Sequence, residues 1–192
     1  MESNQLEDQI RDYARNFLQK EYGAQAVSKL QALEINALNA CDTGGVSEAN
    51  EKGITLAAGR DFAAGKLTDT TKLIVRHELG HILDENSPFS PDFEEEIEHE
   101  KLAWQKAKLR NPAENWYKNI SIRTHVDPLK MQAIGFPRPE MKISRKNLLH
   151  GRNVEVKRMQ KQSQYVDENL AVRFAMLHLI ENPNWYGSRG SS

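Results

Sequence analysis

Two histidines four residues apart, His77 and His81, enclose Glu78 and Gly80 in the stretch "RHELGHILDE" (residues 76–85). On a helix of 3.6 residues per turn the two imidazoles lie one above the other and can converge on a single ion. Glu78 is rotated from His77 by about 100°, so it can reach a water at that ion without becoming a ligand. That is the division of labour of a metal-assisted hydrolase, in which the ion makes water acidic and the carboxylate takes the proton. The bare pattern H-E-x-x-H has many chance matches, and the plain alternative is a solvated helix with two incidental histidines. Three neighbours argue against that alternative. Val75, Leu79, Ile82 and Leu83 form a separate apolar stripe, so the helix can be buried on one side without its histidines. Gly80 costs ~1 kcal/mol in a helix interior, and between two histidines its missing side chain admits a neighbouring backbone. A short apolar run at 53–58 precedes the helix.

A catalytic zinc site needs a third protein ligand and an open position for water. A third histidine in the form H-E-x-x-H-x-x-G-x-x-H would require glycine at 84 and histidine at 87, where the chain has Asp84 and Ser87. Cys41 is the only cysteine, which excludes a thiolate cage and any internal disulfide and suits a reducing compartment. A carboxylate from another helix remains, and "EEEIEHEKLAWQKA" (94–107) is rich in them: Glu96 and Glu100 share one face and Glu98 lies on another. Asp84, three after His81, can orient a ligand imidazole or be a surface carboxylate. His99 and His178 read as structural. His125, His150, Tyr117 and Tyr165 are the candidates to steady the oxyanion of a tetrahedral intermediate.

"HELGHILDE" followed by Glu100, Ala103 and Trp104 in "EHEKLAW" resembles the glutamate-ligand zincins, specifically the small bacterial and phage metallopeptidase-like proteins related to the ImmA/IrrE group. These carry H-E-x-G-H on one helix and E-x-x-A on the next, the alanine often followed by Asn or Trp. The resemblance covers about residues 50–110. It implies a zincin-like α+β fold, mostly helical with a small sheet whose edge strand, Ile54 to Ala57, precedes the active-site helix and pairs with a substrate peptide. It also implies zinc held by His77, His81 and Glu100, with Glu78 as general base. A rival lies in "ENLAVRFA" (168–175), which fits the E-x-x-A-N-x-F-A form of the same group apart from Val172, and would make Glu168 the ligand.

The elements that must position these residues follow from pattern. Apolar positions from Leu6 to Leu18 repeat at helical spacing over 4–21, with Gly23 as a stop. "KLQALEINALNAC" (29–41) is ambiguous between helix and strand, and "KGITLAAG" (52–59) reads as a strand. Thr68, Asp69 and Thr70 offer N-caps to a helix over about 70–86, and a second helix spans about 92–110, its early glutamates suiting the positive end of the dipole. Residues 111–147 hold five prolines or glycines and no clean period, which reads as loops and short elements. Two helices, about 147–163 and 164–181, close the chain. "GRDFAAGKL" (59–67) is not a phosphate loop, since Lys66 is followed by Leu67 rather than Ser or Thr.

A chain of 192 residues, 39% of them hydrophobic, supports one domain. We expect residues 1–186 to form it, with an N-terminal helix in 1–25, a motif core at 50–110, a helical extension at 111–186 and a flexible tail at 187–192. The 26 basic and 27 acidic residues nearly cancel, so no global field recruits nucleic acid or a membrane surface. Six acids crowd 92–100, and nine Lys/Arg stand between Lys130 and Lys161; solvated faces explain both more simply than partner patches. With no secretory start and no run of ~18 apolar residues, the expected setting is the cytoplasm and the expected partner a protein or peptide substrate. The rival functions are a zincin-like binding module that does no hydrolysis and a nucleic-acid-associated protein using Arg145, Lys146, Arg152, Lys157, Arg158 and Lys161.

Overall fold

The computed structural model describes residues 2–30, 34–39, 47–50, 53–58, 67–84, 93–125, 145–162, 165 and 168–181. Cys41, residues 59–66, most of the Pro/Gly-rich stretch after His125 and residues 187–192 lie outside them. Helices dominate: α1 Glu2–Tyr22, α2 Ala24–Leu30, α3 Asp69–Ile82, α4 Phe93–Lys106, α5 Pro112–Arg123, α6 Arg145–Met159 and α7 Glu168–Glu181. Three strands, β1 Glu34–Asn39, β2 Glu48–Asn50 and β3 Gly53–Ala58, form one sheet in the order β1-β3-β2. The chain is therefore α+β, mostly helical with a small sheet.

Gly23 separates α1 from α2 with φ of 82°, a backbone angle that glycine adopts without a Cβ penalty. In the sheet β1 runs parallel to β3, pairing Ile35 with Ile54, and β2 runs antiparallel to it, pairing Ala49 with Ile54. β3 was expected at the sheet edge, and it is the middle strand. The reason is that the ambiguous segment resolves into both states, Leu30 ending α2 and Glu34 opening β1, while β2 is a short polar strand, "EAN", with no periodicity of its own. Alternate residues of β3, Ile54 and Leu56, are buried, as the two-residue period of a strand requires.

α3 runs through the middle of the core. It packs against α1, α4, β2 and β3, and its residues Thr70, Thr71 and Leu73 to Gly80 are all buried. This exceeds the one-sided burial that its apolar stripe suggested, and it brings Arg76, His77 and Glu78 inside. Thr68 caps the helix, its hydroxyl accepting from the Thr71 N–H at 3.2 Å. α1 contributes Ile10, Ala14, Phe17 and Leu18 to the same core, and α6 and α7 pack on each other.

Residues 112–123, within the stretch expected to hold loops and short elements, form the twelve-residue helix α5. Asn111 accepts from the Glu114 N–H at 2.9 Å as N-cap, and Pro112 sits in the first turn, where its missing N–H costs nothing. The other prolines and glycines counted in 111–147 all follow residue 126, so averaging over the stretch hid a well-capped helix.

Candidate metal centre

Three elements meet at the site: α3 with His77, Glu78 and His81, α4 with Glu100, and the end of α5 with His125. The residue before His77 anchors the first two. Arg76 donates to the Ala107 and Lys108 carbonyls (3.1 and 2.9 Å) beyond the end of α4 and pairs with Glu114 of α5 at 2.7 Å, both side chains being under 5% exposed. Glu114 also accepts from the Arg110 N–H at 2.6 Å. One buried ion pair thus joins α3 to the α4–α5 junction, its charges satisfied by each other and by backbone groups.

The Nε2 atoms of His77 and His81 are 3.3 Å apart. Glu100 spans them, Oε2 lying 3.2 Å from His77 Nε2 and Oε1 3.1 Å from His81 Nε2. Tetrahedral donors about 2.0–2.1 Å from zinc stand about 3.3–3.4 Å from one another; the two imidazole nitrogens have that spacing, and one oxygen of the Glu100 carboxylate lies beside each. Glu100 Oε2 is buried with no aligned hydrogen-bond donor, which leaves its lone pairs for an ion. Glu78 flanks the pair as a second carboxylate: one donor atom each from His77, Glu78 and His81 lies within 4.8 Å of the others. A His–Glu–His group that can hold a metal is therefore present. Of the two acids, Glu100 contacts both imidazoles, one oxygen to each, and Glu78 is the one grouped with them within 4.8 Å.

The E-x-x-A-W run of α4 acts as a unit. Glu100 meets the imidazoles. Ala103 brings its backbone against Gly80, where a Cβ would stand 2.3 Å from the Ala103 carbonyl oxygen. Trp104 stacks on His77, ring centroids 4.1 Å apart and planes 19° from parallel. Ligand histidines usually fix their ring by an Nδ1 hydrogen bond, whereas His77 Nδ1 is buried and has no partner among the described residues. The indole face holds this ring instead.

Electrostatics sort the histidines. Burial pulls the His77 pKa down, helped by the charges of His81 and Arg173 and outweighing the opposing pull of Glu100. Burial also acts downward on His81, but the contact with Glu100 and the charges of Glu78, Glu100 and Asp84 prevail and raise it. Burial would raise the Glu100 pKa, yet the two imidazoles hold it well below the usual carboxylate range. In the metal-free chain these surroundings favour the proton on His81, opposite Glu100, and disfavour it on His77.

Other expected residues fall away from this cluster. Glu96 is 3.7 Å from His125 Nδ1, and exposed Glu98 pairs with Lys101. Glu168 opens α7, and its side chain lies outside the described residues. Asp84 pairs with His99 (3.3 Å) and Lys106 (3.4 Å) and acts on His81 through its charge. His178 pairs with Glu155 of α6 at 3.2 Å, the structural role expected of it. Among the oxyanion candidates, Tyr117 is fully buried against Trp104, Tyr165 bonds Asn111 through its hydroxyl, and His150 is exposed on α6. His125 alone of the four stands at the site, its Nε2 3.4 Å from Glu100 Oε2; burial lowers its pKa, against the raising influence of Glu100. Arg173 was not expected. It bonds Ser121 of α5 at 2.8 Å, and its only sequence signal is a cation within the apolar run "NLAVRFAMLHLI". No protein-family model, curated protein or solved structure matches the chain, so the chemistry of the site rests on its own residues.

Proposed function

We propose that this chain is a zinc-dependent metallopeptidase of the glutamate-ligand type, with the zincin-like fold that its resemblance to the ImmA/IrrE group implies. One observation carries the reading: His77 and His81 present their Nε2 atoms 3.3 Å apart, the Glu100 carboxylate sets one oxygen 3.1–3.2 Å from each, and Glu78 lies beside them. Those three residues would hold zinc, which when bound lowers the pKa of water and polarises a carbonyl. Glu78 takes the proton from the attacking water and returns it to the leaving amine nitrogen. His125 Nε2 donates a hydrogen bond where negative charge develops on the carbonyl oxygen. An extended peptide adds to β2, the edge strand that packs on α3, and the expected substrate is a cytoplasmic protein or peptide.

His125 also supports a second reading. A third imidazole 3.4 Å from Glu100 can serve as a fourth donor, and a site closed in that way suits a binding module rather than a hydrolase. The variant Glu78→Gln separates the two. It keeps side-chain shape and the three ligands, so zinc content and melting temperature should survive while hydrolysis falls at least ~100-fold. Cell extracts incubated with each form are compared for new peptide termini. Products made by the parent chain alone support the peptidase. Products common to both remove Glu78 as base, and products from neither, with zinc bound, favour the closed module.

A further inference from the structure

Two arginines, buried Arg76 and half-buried Arg173, differ in what faces their charge. Arg76 has a carboxylate, Glu114, and two carbonyl groups against its guanidinium, with only its Nε lacking an acceptor. Arg173, on α7, has one hydrogen bond, to Ser121 Oγ at 2.8 Å, and its Nε is buried with no acceptor among the described residues. The residues on either side of it in the helix, Val172 and Phe174, belong to the apolar interior. A guanidinium cannot discard its charge, and holding it partly out of water without an anion is costly. The acids that contact His125 are already engaged: Glu100 lies against His77, His81 and His125, and Glu96 against His125.

Its place in the fold says what the charge faces. Ser121 stands one turn before His125 on α5, and the Arg173 charge is felt at both His77 and His125. The guanidinium is therefore tethered to the helix that leads to His125, with donors remaining for a planar two-oxygen acceptor.

We propose that Arg173 receives a carboxylate of the substrate, so that the site selects peptides presenting a free C-terminus or an acidic side chain near the scissile bond. The inference rests on the metallopeptidase reading, and its test can be separated from it. Three pools of labelled pentapeptides are offered to the zinc-loaded Glu78→Gln protein: one with free C-termini and no acidic side chain, one amidated and without acids, and one amidated with a single Asp or Glu. A carboxylate-bearing pool should bind about tenfold more tightly than the amidated pool without acids, and whichever pool prevails identifies the source of the carboxylate. Arg173→Gln should abolish the difference, Arg173→Lys should keep part of it, and Ser121→Ala should weaken it by releasing the tether. The last two variants decide the matter if Arg173→Gln does not fold. Equal binding of all three pools, or a preference that persists in Arg173→Gln, overturns the proposal. Zinc is measured on the same samples. A chain without zinc that still shows an Arg173-dependent preference overturns the peptidase reading alone, and a zinc-loaded chain without the preference overturns this one alone.

Discussion

At the scale of single residues, the candidate metal site was partly legible before any fold was known. The spacing of His77 and His81 dictates a shared helix face, and their Nε2 atoms do meet at 3.3 Å. Glu100 needed more, because Glu96 lies on the same face of α4 and only the depth at which α4 packs on α3 distinguishes them. His125 was one of four oxyanion candidates, since nothing local shows that the end of α5 comes to the site. Protonation gives this scale its prediction. The raised pKa of His81 means that zinc must displace a proton from it below that value, so apparent affinity should fall by up to about tenfold per pH unit as pH drops through the raised value toward and below the ordinary 6.5. The metal-free chain responds in the opposite sense. Stabilisation from His81 is full below the ordinary imidazole value of 6.5 and lost as pH rises through the raised one. Stabilisation from Glu100 is full above the ordinary 4.5 and lost as pH falls through its depressed value. Zinc competition against a chelator across that range checks the first statement, and a flat affinity would contradict it.

At the scale of elements, the sequence reading was most accurate where apolar periodicity and caps coincide. α3 and α4 were expected within a few residues of their observed ends, and Gly80 was expected to admit another backbone, which is that of Ala103. It failed where a strand is short and polar, as in β2, or where composition averaged over a long stretch masked a local cap, as in α5. The α3–α4 contact yields a direct test. Gly80→Ala places a methyl group 2.3 Å from the Ala103 carbonyl oxygen, and because that atom is backbone the helices must separate. Moving Glu100 away from two imidazoles should cost at least tenfold in zinc affinity, the size typical when the support of a metal ligand is lost, and should lower the melting temperature. Calorimetric zinc titration of the variant checks this; unchanged affinity would show that the contact does not set the position of Glu100.

At the scale of the whole molecule, the sheet and α1 surround α3 so that a helix bearing ionisable groups runs through the core, an arrangement that hydrophobic packing alone would not favour. The cost is offset where Arg76 meets Glu114 and where the histidines meet Glu100. Overall charge and composition indicated one domain without a strong field, but neither could show that the interior holds a cluster of opposed charges. Among the described residues no helix is long and apolar enough to cross a membrane. The central claim is that this interior cluster is a metal site, and elemental analysis of the purified chain with its variants tests it most directly. The account predicts close to one zinc per chain, lost in the double variant His77→Ala/His81→Ala, weakened in Glu100→Ala and retained in Glu168→Ala. Full zinc retention by the double histidine variant would contradict it.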